Sequence, residues 1–361
     1  MGQGKRWAII GAGNGGQAFA AYLSMMGIDI ALYDTFQNTV DSLNSLGGVT
    51  LSGNGKKTGF GKIAFASTDI AKVVAEAEVI WVILPSIYHR SIAEKMAPCL
   101  QDGQTIILNP IAPLGPMEFR KALDDCGCKA EITLAASSTL LFACRLSAPG
   151  HVFINGQKQA VSIAAYPSSG NSKVEALVKA YIPEFNFVQD ILSVSFENLN
   201  FAFHPGPTLL YTAMIEKGID FEYYIDFVPS QTKLIEAIDR ERMELCKIYG
   251  VTNAVDAEET FRMMYGYQGD LYEMITHADC YKGIKGPKSL AVRYLMEDVP
   301  YALRAIQALA KVAKVDTPAI DAVVSLAYIL LGDKLDEGRT AKNLGISEDA
   351  TVEDIIKLCR G

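Results

Sequence analysis

Gly11-Ala12-Gly13-Asn14-Gly15-Gly16 follows the apolar run Trp7-Ala8-Ile9-Ile10 and opens the small-residue stretch Gln17-Ala18-Phe19-Ala20-Ala21-Tyr22-Leu23. Glycines at 11, 13 and 16, set between a strand and a helix, have the spacing of a dinucleotide-binding turn. Gly11 permits the tight turn and Gly13 lets the backbone approach a pyrophosphate. Gly16 lets the helix lie close on the strand, so the N–H groups at Asn14, Gly15 and Gly16 face the phosphates. A second strand, Asp29-Ile30-Ala31-Leu32-Tyr33, ends in Asp34, about 20 residues on, as the fingerprint requires. A carboxylate there hydrogen-bonds the ribose hydroxyls of NAD and repels the extra phosphate of NADP. Thr35-Phe36-Gln37-Asn38 bring no Arg or Lys to welcome that phosphate. NAD is therefore the expected cofactor, ahead of NADP.

Proton chemistry has its own candidates in the second half. In Asn198-Leu199-Asn200-Phe201-Ala202-Phe203-His204-Pro205-Gly206-Pro207, Pro205 biases His204 away from helical geometry and Pro207 suits the first turn of a new helix. The imidazole is thus held at a break between helices, where it can take or give a proton near neutral pH. Equally, it could be a core histidine bonded to a carbonyl freed at the kink. Arg293-Tyr294-Leu295-Met296-Glu297-Asp298-Val299-Pro300 offers an Arg suited to a carboxylate and an Asp able to orient a histidine. The plain alternatives are a solvated Arg and an Asp that caps the helix from Tyr301. Asn200 and Cys144 join Arg293 as candidate substrate contacts, against a second reading of Cys144 as a small buried side chain. His89 reads either as a surface helix residue or as one near the cofactor crevice, and Asp239-Arg240-Glu241-Arg242 as a solvated helix face.

These residues need a frame. Val79-Ile80-Trp81-Val82-Ile83-Leu84, closed by Pro85, and Thr105-Ile106-Ile107-Leu108-Asn109, closed by Pro110, read as buried strands. Helices fall between them, one over 69–76 capped by Ser67 or Thr68 and another over 91–100. Such alternation describes an α/β fold, a Rossmann-type doubly wound parallel sheet. Its crevice lies at the carboxyl ends of the strands, so Gly11, Gly13, Asn14, Gly15, Gly16, Asp34, Pro85 and Asn109 should converge there. Residues 47–51 and 63–66 flank Asn54-Gly55 as a hairpin excursion of the sheet. Residues 152–154 and 160–163 flank Asn155-Gly156 as a second hairpin. From about 190 helical periodicity takes over, at 231–249, 258–264, 301–312 and 319–331. The expected organisation is a dinucleotide-binding domain over 1–190 and an all-helical substrate domain over 191–361.

Composition narrows the class. The chain of 361 residues is 50% apolar, yet charge or glycine interrupts every apolar run before membrane length. A net charge of −8 without a basic block argues against nucleic acid. Seven scattered cysteines and four dispersed histidines suggest reduced thiols, a cytoplasmic setting and no metal site. The first residues leave no room for a signal peptide, and Arg6 stands where myristoylation at Gly2 wants Ser or Thr. The apolar face over 319–331 suits either the core or a homodimer interface.

Taken together, the Gly11–Gly16 fingerprint, Asn109-Pro110, Cys144-Arg145, His204-Pro205, Arg293, Glu297-Asp298-Val299, Gly338-Arg339-Thr340 and Leu344-Gly345 resemble the opine dehydrogenases of the octopine/nopaline type in order and spacing. The likeness covers essentially the whole chain and looks greatest in the bacterial branch that makes N-(1-carboxyethyl)norvaline. It implies NAD(P)H-dependent reductive condensation of a keto acid, commonly pyruvate, with the amino group of an amino acid through an imine. It further implies His204 as general acid/base, Asp298 as its charge partner and Arg293 as a substrate-carboxylate or interdomain contact. The chain departs from the family after Asn109-Pro110, where Ile111 and Leu114 stand at positions expected to be glycine. Two other readings compete: a ketopantoate-type or hydroxyacid reductase acting on a keto acid alone, and a non-enzymatic NAD(H) sensor.

Overall fold

The computed structural model describes residues 6–361; the readings of Gly2 and of the leader fall on residues 1–5, outside the described residues. It divides into two compact units, one formed by the chain up to Val194 together with Lys357–Gly361, the other by Ser195–Ile356. The last five residues thus belong with the first unit, not with the helices that the sequence reading grouped them with.

The strands of the first unit run in chain order as β1 (Arg6–Ile10), β2 (Asp29–Tyr33), β3 (Gly48–Gly53), β4 (Gly59–Lys62), β5 (Phe65–Ser67), β6 (Val79–Val82), β7 (Thr105–Leu108), β8 (Thr133–Ser137), β9 (Phe142–Ala148), β10 (His151–Gln157), β11 (Val161–Tyr166) and β12 (Phe185–Phe187). Eight form one sheet in the order β12-β11-β8-β7-β6-β1-β2-β5, parallel throughout except between β8 and β11. Trp7, Trp81, Phe19 and Phe185 fill the layer between sheet and helices, all fully buried. Strands buried on both faces explain the continuous apolar runs in the sequence.

Register does the positioning. Tyr33, Ile10, Val82 and Leu108 lie side by side across four parallel strands. The residues that follow, Asp34, Gly11, Ile83 and Asn109, are therefore delivered together to the carboxyl edge.

The other four strands make a separate sheet, β4-β3-β10-β9. The first hairpin is present as β3–β4, but it belongs to this second sheet, while Phe65–Ser67 joins the main one beside β2. The second expected hairpin is corrected. Asn155-Gly156 is no turn: β10 runs through it with an irregularity between Ile154 and Gly156, and its antiparallel partner is β9. The tight turn sits instead at Gly150, φ 77°, where glycine escapes the left-handed penalty. The cap of the helix Ile70–Val74 is also corrected, from Ser67 or Thr68 to Asp69, which accepts from the N–H groups of Ala71 and Lys72.

The second unit contains helices and, among the described residues, no strand beyond a single bridge between Glu222 and Lys285. Its spine is the helix Pro229–Ile248, buried along Ile235, Ile238, Asp239, Arg242, Leu245 and Cys246. Asp239 and Arg242 fall on that buried face, so the solvated-face reading fails for them. Arg242 donates to Asp239 at 2.7 Å and to the Phe196 carbonyl at 2.8 Å. In the helix Pro318–Leu331, Ile320, Val323, Val324 and Ala327 are buried, whereas Leu326, Ile329 and Leu330 are exposed. No described helix is long and apolar enough to cross a membrane.

Candidate active site

In the first unit the fingerprint folds for the reasons its glycines suggest. Gly11 has φ 102°, and a Cβ on Gly16 would lie 1.7 Å from the Gly11 carbonyl oxygen. A Cβ on Gly13 would meet nothing within 4 Å. Gly16 thus closes the helix Asn14–Ser24 onto the turn, while Gly13 leaves open the side that a pyrophosphate would occupy. Asp34 ties the loop: Oδ2 accepts from the Ala12 N–H at 2.8 Å and Oδ1 from the Phe36 N–H at 2.9 Å.

Asn109 is fully buried, and neither its amide nitrogen nor its amide oxygen has a hydrogen-bond partner in the protein. A buried, unsatisfied amide costs about 1–3 kcal/mol, and a bound group at this strand edge would relieve that cost. Open space at Gly13, the closed turn at Gly16 and the orphaned amide at Asn109 all fit a dinucleotide. Pro85 is exposed just beyond β6, and its neighbour Ser86 accepts from the Ala112 N–H at 2.9 Å. His89 is buried, against the surface reading, and donates from Nε2 to the Leu84 carbonyl at 3.1 Å.

Leu114, one of the two departures from glycine, keeps a glycine-like backbone at φ 61° with its side chain fully buried. Ile111 is buried as well. The turn after Asn109 therefore retains a left-handed residue while filling space that glycine would leave empty.

Cys144 is corrected as a substrate contact. It lies buried in β9, its thiol donates to the Asn14 carbonyl at 3.4 Å, and burial pushes its pKa up to about 11. Its neighbour Leu146 donates its N–H to Asn14 Oδ1 at 2.8 Å. Cys144 and Leu146 brace the fingerprint helix from the second sheet.

In the second unit, His204 stands where the helix Asn200–Phe203 ends and Pro205–Leu210 begins. Its backbone stays on the right-handed side (φ −103°, ψ −61°), not extended as Pro205 alone would favour. The reason is visible in the hydrogen bonds: its N–H reaches the Asn200 carbonyl and its carbonyl receives the Thr208 N–H, so the chain bends without breaking the helical ladder.

The imidazole is not bonded to a freed carbonyl. Nδ1 lies 2.7 Å from Asp298 Oδ2, and Nε2 lies 3.0 Å from the Tyr224 hydroxyl, all buried. Asp298 precedes a π turn, Val299–Leu303, yet makes no capping bond; its carboxylate is committed to the histidine. The Tyr294 ring stacks on the imidazole at 4.2 Å and 22°. Tyr223 donates to the His204 carbonyl at 2.8 Å, fixing the bend from behind. A carboxylate on Nδ1 selects the tautomer with Nε2 as acceptor and stabilises the imidazolium when that nitrogen takes a proton.

Arg293 opens the helix Arg293–Met296 with an exposed side chain, and its Nε pairs with Glu297 at 2.5 Å. Asn200 is exposed, one helical turn before His204. Tyr223, Tyr224 and Tyr294 surround the imidazole, a place that no local sequence signal assigns them. Tyr294 adjoins Arg293 and Tyr223 adjoins Tyr224 in the sequence, but nothing in their spacing points to position 204.

A nucleotide-binding α/β unit joined in one chain to a helical unit with a buried His–Asp pair defines a two-domain NAD(H)-dependent dehydrogenase. Residues 187–331 match the family model of the α-helical domain of NAD/NADP octopine/nopaline dehydrogenase. Residues 6–110 match the N-terminus of NAD-dependent glycerol-3-phosphate dehydrogenase. The opine dehydrogenase of Arthrobacter sp. (strain 1C) is 36% identical over 96% of each chain. Vitopine synthase of Allorhizobium ampelinum is 22% identical over 80% of each.

The structure of an octopine dehydrogenase with NADH and L-arginine superposes at a TM-score of 0.83 over 99% of both chains, at 19% identity. A ketopantoate reductase from Ralstonia eutropha shares the fold at 0.64, covering 91% of this chain and 99% of its own, at 15% identity. The chain belongs to the opine dehydrogenase family. It is an NAD(H)-dependent oxidoreductase acting on CH–NH donors, which joins a keto acid to an amino acid by reduction.

Proposed function

We propose that this enzyme condenses pyruvate with the α-amino group of a neutral L-amino acid, preferring NADH to NADPH, with His204 as general acid/base. The observation that carries the assignment of His204 is its 2.7 Å bond to Asp298 in a site otherwise walled by tyrosines. The amine must attack as a free base, and the carbinolamine loses water only when its hydroxyl is protonated. One imidazole serves both needs: neutral, it takes the ammonium proton; charged, it returns a proton to the hydroxyl.

Asp298 orients the ring and balances the charge it gains. Arg293, its guanidinium half released by pairing through Nε alone, binds a substrate carboxylate. Asn200 provides a further polar contact. In the first unit Gly11, Gly13, Asn14, Gly15 and Gly16 cradle the pyrophosphate, Asp34 the ribose, and Pro85 and Asn109 the remaining strand edge. NADH, when bound, supplies the hydride that reduces the imine. The chain's task is to hold the reactants and exclude competing protonation.

The test is NADH oxidation with pyruvate against a panel of L-amino acids, with pyruvate alone as control. NADH should disappear only when both substrates are present. Oxidation with pyruvate alone would replace this reading with a simple keto-acid reductase.

A further inference from the structure

The nitrogen of His204 that must exchange protons with substrate is already occupied. Nδ1–H donates to Asp298, which leaves Nε2 of the neutral ring as an acceptor and makes the Tyr224 hydroxyl its donor at 3.0 Å. Tyr224 is 7% exposed and its ring is held on two sides. It stacks on Tyr281 at 4.0 Å and 20°, and meets Tyr223 edge-on at 4.8 Å and 87°. Tyr294 covers one face of the imidazole.

A phenol donates one hydrogen bond and also accepts. Once the imidazole is doubly protonated, Nε2–H must donate to the Tyr224 oxygen, and the phenol proton must turn to a different acceptor. Among the described residues His204 is the one hydrogen-bond partner of that hydroxyl. The position it then points to belongs to the substrate.

We propose that Tyr224 is a further catalytic residue, whose hydroxyl relays the proton between His204 Nε2 and the reacting oxygen of the carbinolamine. The inference rests on His204 being the acid/base. In the dehydrating direction the phenol O–H bond breaks and its proton goes to the carbinolamine hydroxyl. The Nε2–H proton passes to the phenol oxygen in the same event. The C–O bond breaks with its electron pair on the departing water, and the nitrogen lone pair closes the C=N bond. Imidazole and phenol both end neutral, and the positive charge resides on the iminium. Burial, together with Tyr294 and Asp298, holds the phenol well above its ordinary range, so a free tyrosinate does not accumulate and the two transfers are coupled.

The experiment measures Tyr224→Phe beside His204→Ala, using NADH, pyruvate and the amino acid that the panel selects. The relay requires kcat to fall about 10²-fold or more, with the KM for the amino acid and the Kd for NADH within about threefold and the melting temperature kept. Tyr224→Phe retaining kcat while His204→Ala is inactive would overturn the relay and leave the acid/base standing. Full activity in His204→Ala would overturn both.

Should the Phe variant fold poorly, 3-fluorotyrosine incorporated at position 224 keeps the ring and lowers the phenol pKa. The relay then requires kcat to change with the acidity of the phenol while the Kd for NADH stays within about threefold. An unchanged kcat would overturn it.

Discussion

At residue scale, a single hydrogen bond decides what His204 can do. A carboxylate at Nδ1 keeps the ring in one tautomer; an amide there would accept from Nδ1–H but would not balance the charge. Asp298→Asn is accordingly expected to lower kcat by 10²-fold or more while the melting temperature stays close to wild type. Steady-state kinetics with differential scanning calorimetry checks both halves.

Asp34 is a different case, because both its oxygens already hold backbone N–H groups of the cofactor loop. Asp34→Ala should weaken NADH binding and shift the NADH/NADPH ratio of kcat/KM towards NADPH. An unchanged ratio would mean that this carboxylate only ties the loop. His204 was legible because Pro205 and Pro207, just after it, mark a bend between two helices. Asp298 was not separable from a helix cap, since the residue type before a Pro-led helix is the same for both roles. Tyr224 was illegible: a tyrosine 20 residues away is brought to the ring by the path of the chain, which no local spacing records.

At the scale of elements, the π turn that follows Asp298 is clamped by a segment near the other end of the unit. Gly338 has φ 72°, and a Cβ there would lie 2.0 Å from the Pro300 carbonyl oxygen. Arg339 is fully buried, receives support from the Pro300 carbonyl through its N–H at 2.8 Å, and donates to the Tyr301 carbonyl at 3.1 Å. Carbonyls released by a π turn thus find fixed donors.

Gly338→Ala should cost about 2 kcal/mol or more and should lower kcat as well, because the displaced turn directly follows Asp298. Denaturant unfolding alongside kinetics checks the pairing of the two effects. Most strands and the long helices were readable from apolar runs and periodicity. What failed was pairing: a bulge absorbs Asn155-Gly156 inside β10, and Asn-Gly is the same signal whether it turns a chain or bulges it. Asp239 and Arg242 failed for a related reason, since opposite charges three apart on a helix give the same signal on a solvated face as in a core, where further hydrogen bonds offset the cost of burial.

For the whole molecule, the seven cysteines are free, and burial divides them. Cys144 in one unit and Cys246 in the other are held up to about 11 by burial, against an ordinary 9.0, and Cys359 is raised further. An unfolded chain gives up those protons first. The stability gained by burying neutral thiols is therefore complete below pH 9 and is lost as pH rises towards 11. The melting temperature should drop by several degrees between pH 8.5 and about 10.5, and Cys144→Ala with Cys246→Ala should flatten the drop.

The return of Lys357–Gly361 to the first unit bears on how the protein is born. Cys359 is fully buried there, and Arg360 pairs with the buried Asp190 at 2.7 Å. A nascent chain leaving the ribosome has all of β1 to β12 in hand long before residue 360 emerges. The nucleotide-binding unit must wait, one piece short, through synthesis of the entire helical unit, and domains that ordinarily fold in order of emergence here finish in the reverse order.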